Sequence, residues 1–287
     1  MENKSAPVTQ HLDVIRFQGS SLHTAEDIVA NEVRVALVYN GVSHTVMMAS
    51  PQDLEAFAIG FTLSERIVEQ LAEIKDIEIQ TVANGVLIYM EITQRRFIAL
   101  KEQRRSMAGR TGCGLCGVAQ LEHAMKPVIQ VADSQRFALA DLTNVLDTIA
   151  DYQPIFGDTG ATHAAMALAA DGSFISAFED VGRHIALDKL IGACAKEAIR
   201  PAAVLLTSRA SFEMVQKAAS AGIEILFAIS AATALAVELA QQSNITLVGF
   251  CRHGRATVYS HPQRIETGCQ NNFVNFPHSD TELAVAN

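Results

Sequence analysis

Apolar and polar residues alternate most clearly just after position 32. Val33, Val35, Leu37 and Tyr39 take every second place, Asn40-Gly41 interrupts, and Val42, Val46 and Met48 resume the pattern. A strand turns successive side chains to opposite faces, and both central positions of a tight Asn-Gly hairpin turn need positive φ, so this segment predicts a β-hairpin. The same reading holds from Ile77 through Asn84-Gly85 to Ile92. Between the two hairpins the spacing becomes helical. Leu54, Phe57, Ala58 and Phe61 fall on one face, with Ser50 as the expected cap, Pro51 at the first helical position and Asp53 at the positive end. Residues 31–125 therefore read as a small N-terminal α+β domain. Residues 1–30 show no clear period and read as an irregular arm.

The remainder reads as α/β. Asp141 is the expected cap of a helix bearing Leu142, Val145, Leu146 and Ile149. A third hairpin, around Asp171-Gly172, joins Ala164–Ala169 to Phe174–Phe178, and a helix follows with Leu187, Leu190, Ile191, Cys194 and Ala198 at helical spacing. The last third alternates short apolar runs with amphipathic ones. Ala202–Leu206, Ile225–Ile229 and Ile245–Phe250 read as buried strands, and Phe212–Ala221 and Thr233–Gln242 as the helices between them. That β-α-β-α-β order implies parallel strands joined by right-handed crossovers. Residues 126–264 thus form the second domain, while 265–287 are polar, aperiodic and expected to be disordered.

Composition narrows the function classes. The chain has 287 residues, 49% apolar, with a net charge of −9. An acidic surface argues against general nucleic-acid or anionic-membrane binding. No apolar run reaches the roughly 18–20 residues of a membrane span; the richest, Ile223 to Ala240, is broken by Glu224, Ser230 and Glu238. The polar N-terminus lacks a secretory pattern, so the expected location is the cytoplasm, where the five cysteines would be reduced thiols.

Two of those cysteines stand in an unusual setting. Cys113 and Cys116 lie in a loop with glycine at 112, 114 and 117, following Arg95, Arg96, Lys101, Arg104, Arg105 and Arg110 with only Glu102 against them. Glycine leaves the sulfurs unshielded, and nearby cations favour the nucleophilic thiolate. Such a thiol suits the acceptance and onward transfer of a sulfur atom. Zinc would require a second pair, which is missing; His123 adds only a third ligand at poor spacing. A thioredoxin-like site would need the pair at a helix start after a strand. The motif alone leaves sulfur or redox chemistry and metal binding both open, and no metal ligands are assigned. Cys194, on an apolar helical face, reads as core.

A second constellation is positional. Ligands of open α/β sheets bind beyond the carboxyl ends of the strands. There stand Thr207-Ser208-Arg209-Ala210-Ser211, Ser230-Ala231-Ala232-Thr233, and Gly249-Phe250-Cys251-Arg252-His253-Gly254-Arg255. Two of these runs open helices, whose free N–H groups favour anions. Arg183, within Glu179-Asp180-Val181-Gly182-Arg183-His184, offers a further bidentate donor. The set points to a phosphorylated ligand, with a nucleotide as the expected class. Arg209 or Arg255 alone fits a surface ion pair better; the clustering at one sheet edge carries the reading. His184, expected beside Glu179 and Asp180, and His163, at a strand start, fit structural hydrogen bonds as well as proton transfer.

Four runs together resemble the FdhD family, the sulfur carrier proteins needed for active formate dehydrogenase: AGRTGCGLCG at 108–117, EDVGRHIALDKL at 179–190, TSRAS at 207–211 and FCRHGR at 250–255. The stretch Ala36–His44 matches as well. The resemblance implies that a cysteine desulfurase loads Cys113 with a persulfide, with Cys116 as its neighbour. The recipient it implies is a molybdenum or tungsten bis(molybdopterin guanine dinucleotide) cofactor, bound as substrate, with no permanent cofactor, before delivery to the formate dehydrogenase catalytic subunit. It implies that Phe250, Cys251, Arg252, His253, Gly254 and Arg255 contact the guanine dinucleotide, alongside Ser208, Arg209, Arg183 and His184. The implied fold is a three-layer α/β/α domain like the cytidine deaminases, joined to the smaller α+β domain, in a homodimer. The deaminase zinc signature, H-x-E with P-C-x-x-C, is absent.

Overall fold

The computed structural model describes residues 6–108 and 127–267. It opens on a ribbon: β1 (Thr9–Gln18) and β2 (Ser21–Ala30) pair antiparallel from Thr9↔Ala30 to Gln18↔Ser21. This corrects the expected irregular arm. The register puts Leu12 and Val14 on one face and Ile15 and Phe17 on the other. With apolar residues on both faces, no period of two emerges.

Both expected hairpins form, the first through Asn40-Gly41 and the second one residue earlier than expected, through Ala83-Asn84, with Gly85 already in its strand and paired with Val82. β3 (Val33–Tyr39) and β4 (Val42–Ala49) turn through Asn40 and Gly41, at φ 46° and 79°. After α1 (Leu54–Ser64), β5 (Ile74–Val82) and β6 (Gly85–Ile92) complete a sheet ordered β4-β3-β6-β5, with β3 and β6 parallel. α2 (Gln94–Ala108) follows, where the basic stretch was not assigned a helix. α1 and α2 cover one sheet face: Phe57, Phe61, Phe97 and Leu100 pack on Val35, Leu37, Ile88 and Met90. The cap of α1 is Asp53 rather than Ser50, and it makes no side-chain cap bond. Ser50 is engaged elsewhere: its N–H donates to Asp180 Oδ2 at 2.9 Å, and its hydroxyl accepts from Val181 N at 3.3 Å.

The second part contains β7 (Phe137–Ala138), α3 (Leu139–Thr148), α4 (Pro154–Thr159), β8 (His163–Leu168), β9 (Phe174–Asp180), α5 (Arg183–Lys196), β10 (Ala203–Leu206), α6 (Phe212–Ser220), β11 (Ile225–Ala228), α7 (Ala234–Gln242), β12 (Thr246–Arg252), β13 (Arg255–Val258) and β14 (Ile265–Glu266). Six strands form one sheet, ordered β13-β12-β11-β10-β8-β9. β10, β11 and β12 are parallel, as the β-α-β-α-β pattern predicts; β8 runs antiparallel to both β9 and β10. On one face, Leu187, Met214 and Leu239 from α5, α6 and α7 pack on Val204, Leu226 and Leu247. On the other, Phe137, Leu142 and Val145 pack on Leu205, Phe227 and Val248.

Several boundaries differ from expectation. Ala138, not Asp141, precedes the first turn of α3, and Asp141 sits inside that turn. The chain beyond Phe250 folds back as β13, which the polar run 252–255 concealed. Order also continues past Arg264: β14 pairs parallel with β7, beside an Arg264 that is wholly buried. Its guanidinium donates to Ala132 O at 2.7 Å and Thr246 Oγ1 at 3.2 Å, and lies 3.1 Å from the Asp133 carboxylate.

The two parts meet where α1 crosses α5. A Cβ on Gly60 would lie 1.7 Å from Asp188 O, and one on Gly192 would lie 1.9 Å from Ala56 O. Only hydrogen at both positions lets the backbones approach this closely. Beside the crossing, the buried Lys217 ammonium donates to both Asp188 oxygens at 2.9 Å and to Ser64 and Glu65 at 3.0 Å. A buried ammonium needs such partners to offset its lost hydration. Gly60→Ala and Gly192→Ala are each expected to destabilise the protein at or above the ~1–3 kcal/mol that overpacking costs. Urea unfolding checks this, with Gly157→Ala, in open space, as the control.

Candidate functional site

Strand direction decides what gathers at the carboxyl edge of the six-stranded sheet. β10, β11 and β12 end there; because β8 runs the other way, it begins there and β9 ends there. His163, Asp180, Thr207, Ser230 and Phe250 therefore share one edge. Their loops are laced together. Ala164 N donates to Thr207 Oγ1 at 2.8 Å, Ala210 N to Ala231 O at 3.1 Å, Thr233 N to Ala210 O at 3.1 Å, and Phe250 N to Ser230 O at 3.0 Å. α5, α6 and α7 all start at this edge. Thr233 caps α7 by accepting from Ala236 N, but α5 follows Gly182 and the Ser211 hydroxyl before α6 makes no bond. Two helices thus bring uncapped positive ends to the edge, a setting that favours anions.

The acidic pair of the 179–184 run is structural. Glu179 accepts from Ile155 N, Phe156 N and Thr162 Oγ1 at 2.9, 2.8 and 2.7 Å, and so holds the start of α4. Asp180 pairs with Lys189 at 2.8 Å, both fully buried, and accepts from Ser50 N and Gly182 N at 2.9 Å. His184 does not turn to either acid; its Nε2 meets Glu213 Oε2 at 2.6 Å. Glu213, in the first turn of α6, was missed in the sequence because the contact crosses between elements. Arg183 is half-buried, and its Nε makes no hydrogen bond. Burial first, and the Arg183 charge second, hold both His163 and His184 below the ordinary imidazole value of 6.5. Ser208 is buried, its hydroxyl donating to Arg209 O at 3.2 Å, while Arg209 is exposed.

The β12–β13 hairpin completes the edge. Phe250 stands at a bulge with φ 52°, and its ring carries the Arg255 guanidinium 5.7 Å from the centroid. Gly254, at φ 67°, makes the turn.

The FdhD/NarQ family model matches residues 30–266, most of the chain and all of this edge. The chain belongs to the FdhD/NarQ family. It is 62% identical over 266 residues to the sulfur carrier protein FdhD of Shewanella oneidensis, covering 92% of this chain and 96% of that one. A crystal structure from Desulfotalea psychrophila, described as a formate dehydrogenase accessory protein, superposes with a TM-score of 0.70 at 23% identity. It covers 90% of this chain and 100% of that one, and supports the fold.

Several predicted residues in this FdhD/NarQ chain turn their side chains to other parts of the protein. Arg252 turns back to donate to the carbonyls of Ile229 and Cys251, and His253 lies 3.6 Å from Asp147. Cys251 is fully buried, and burial pushes its thiol up to about 12; Cys194 is likewise buried and pushed up to about 11. Both pack as core. Arg95 and Arg96, expected to favour a loop thiolate, are committed to Glu73 at 2.9 and 2.8 Å, with Arg96 also paired to Glu69. These arginines hold the Glu73 carboxyl at about 2. Cys113 and Cys116 lie outside the described residues. A cavity of about 690 Å³, lined by Leu63, Leu190, Cys194 and Ile223, lies at the opposite end of the parallel strands. It is remote from the edge and brings none of the predicted site residues together. Among the described residues, no three or more metal-ligating side chains cluster and no helix is long and apolar enough to cross a membrane.

The depressed imidazoles set a pH dependence. A histidine that binds protons less well folded than unfolded contributes stability that is present above the unfolded value and lost as pH falls below it. Stability should therefore decline from 6.5 downward. His184→Gln is expected to flatten that decline relative to the parent, as read by thermal midpoints between pH 7.5 and pH 5.

Proposed function

We propose that this chain is a cytoplasmic sulfur carrier that serves formate dehydrogenase. Cys113 is its persulfide-bearing residue, with Cys116 as a neighbouring thiol. The observation that carries this reading is the high identity to a sulfur carrier protein, combined with the run GCGLCG at 112–117. The Cys113 thiolate attacks the terminal sulfur of a cysteine desulfurase persulfide. The desulfurase S–S bond breaks, its own thiolate leaves, and Cys113 becomes the persulfide. The Cys113 S–S bond then breaks, the Cys113 thiolate leaves and takes the persulfide proton, and the terminal sulfur becomes a sulfide ligand by taking two electrons from the reduced metal of a molybdenum or tungsten bis(molybdopterin guanine dinucleotide), the bound substrate, before that cofactor enters the formate dehydrogenase catalytic subunit.

The carboxyl edge is the proposed cofactor site. The uncapped starts of α5 and α6, with Arg183 and Arg209, suit a pyrophosphate, and the Phe250 ring with Arg255 suits a guanine base. Gly254 and the backbone of Cys251, Arg252 and His253 shape that hairpin rather than supplying free side chains to it. The larger part is proposed to be a three-layer α/β/α domain of the cytidine-deaminase type, and the working form a homodimer.

Incubating the full chain with a cysteine desulfurase and cysteine should add a sulfur atom that reductant removes, as read by intact mass. Cys113→Ala is expected to abolish the adduct. An adduct that persists in Cys113→Ala, or none in the parent, rejects the persulfide role. For the site, Arg209→Ala and Arg255→Ala should each weaken guanosine diphosphate binding about tenfold or more by calorimetry, consistent with the ~1.5–3 kcal/mol of a charged hydrogen bond. Unchanged binding in both variants rejects the edge as the nucleotide site.

A further inference from the structure

Two apolar surfaces of this chain stand exposed among the described residues. The first is the tip of the β1–β2 ribbon. Ile15, Phe17 and Leu22 are 75%, 68% and 69% exposed. The register sets Phe17 opposite Leu22 and Ile15 opposite Thr24, so the three share one face. One row nearer the base, the same face carries Asp13 opposite Glu26. Like charges directly opposite are unfavourable. Glu26 is partnered by His11, but Asp13 has no ion pair among the described residues. β2 rests on α4, and Asn31 ties the base to Val8 and Pro7. A two-stranded ribbon is at best marginal in water unless something covers it.

The second surface is the outer face of the β4-β3-β6-β5 sheet, opposite α1 and α2. Val46 and Met48 are 57% and 42% exposed. Val46 pairs with Ala36, which pairs in turn with Leu87, and Met48 pairs with Arg34, so all five side chains stand on that face. Arg34 has no ion pair among the described residues. The two surfaces complement each other row by row. The ribbon sets an acidic row beside an apolar one, and the sheet sets Arg34 and Met48 beside Ala36 and Val46.

We propose that the ribbon is an exchanged dimer arm. In a two-fold pair, each copy lays its Ile15, Phe17 and Leu22 face on the outer sheet face of the second copy, with Asp13 toward that copy's Arg34. The proposal rests on the homodimer reading above and adds the surface. All of the ribbon but Ala30 lies ahead of the residues 30–266 that the family model matches. Area favours exchange. Strands of ten residues make an arm roughly 33 Å long and about 10 Å wide. Laying the whole arm down would hide at most about 330 Å² on each partner, so two arms hide up to about 1,300 Å² in total, against the ~1,200–2,000 Å² of specific interfaces. Two ribbons stacked only on each other would hide about half as much, in the range of chance packing.

Sedimentation velocity and light scattering on the full chain test this at micromolar concentration. The parent is expected at twice the 30.9 kDa chain mass. Phe17→Glu/Leu22→Glu alters only exposed positions, and should be monomeric with an unchanged thermal midpoint. Arg34→Glu should weaken the dimer at least tenfold, and adding Asp13→Arg should restore it. A parent that is monomeric overturns both the arm and the homodimer reading. A Phe17→Glu/Leu22→Glu variant that stays dimeric overturns the arm alone, and so does an Arg34→Glu variant with undiminished self-association.

Discussion

The Asp180 carboxylate, fully buried against the equally buried Lys189 ammonium, is the contact on which the rest of this structure turns. Neither charge could stay inside the protein alone; each needs its partner and its remaining hydrogen bonds. Asp180 satisfies that need by joining distant segments. It accepts from Ser50, just ahead of α1, and from Gly182, just ahead of α5, while Lys189 also donates to Glu179 O at 3.2 Å. One carboxylate thereby fixes the end of β9, the start of α5 and the entry to α1. Arg183 and His184 come next in the chain, and their place at the sheet edge follows from that anchor. The glycine crossing of α1 on α5 and the buried Lys217–Asp188 pair extend the same join between the two parts.

The carboxyl edge gathers positive groups on an acidic protein, with Glu213 the exposed carboxylate at the start of α6. Its charge is local: two uncapped helix starts, a half-buried Arg183 and an exposed Arg209. Glu179 and Asp180, which a reader of the sequence would place as counter-ions, are turned inward and fully bonded, so they leave the edge without neutralising it. Neutral imidazoles at His163 and His184 add donors without a fixed charge. Phe250, at positive φ beside its bulge, is exposed, whereas Thr246, Leu247, Val248 and Cys251 of β12 are buried.

Much of this was legible in the residues. The hairpins at Asn40-Gly41, at Asn84 (one residue early) and around Asp171-Gly172 and the three parallel strands follow from local pattern, because turn chemistry and burial on both faces leave strong marks. The ribbon did not, since its apolar residues lie on both faces. Ser50 looked like a helix cap, and only tertiary contact with Asp180 draws it elsewhere. Arg252 and Cys251 sit in a motif whose residue types suit a ligand, yet the β12–β13 pairing turns one to the backbone and the other into the core. Glu213 carried no signal, because its contact with His184 joins two helices distant in sequence. The reading of sulfur transfer rests on the GCGLCG run and on family membership rather than on geometry.

A crystal structure of the full chain with guanosine diphosphate tests the central claim, that the carboxyl edge is the nucleotide site. The prediction is an ordered diphosphate at the starts of α5 and α6, hydrogen-bonded to Arg183 or Arg209, with the guanine against Phe250. Ordered nucleotide in the cavity beside Cys194 and Ile223, or an empty edge at saturating ligand, would contradict it.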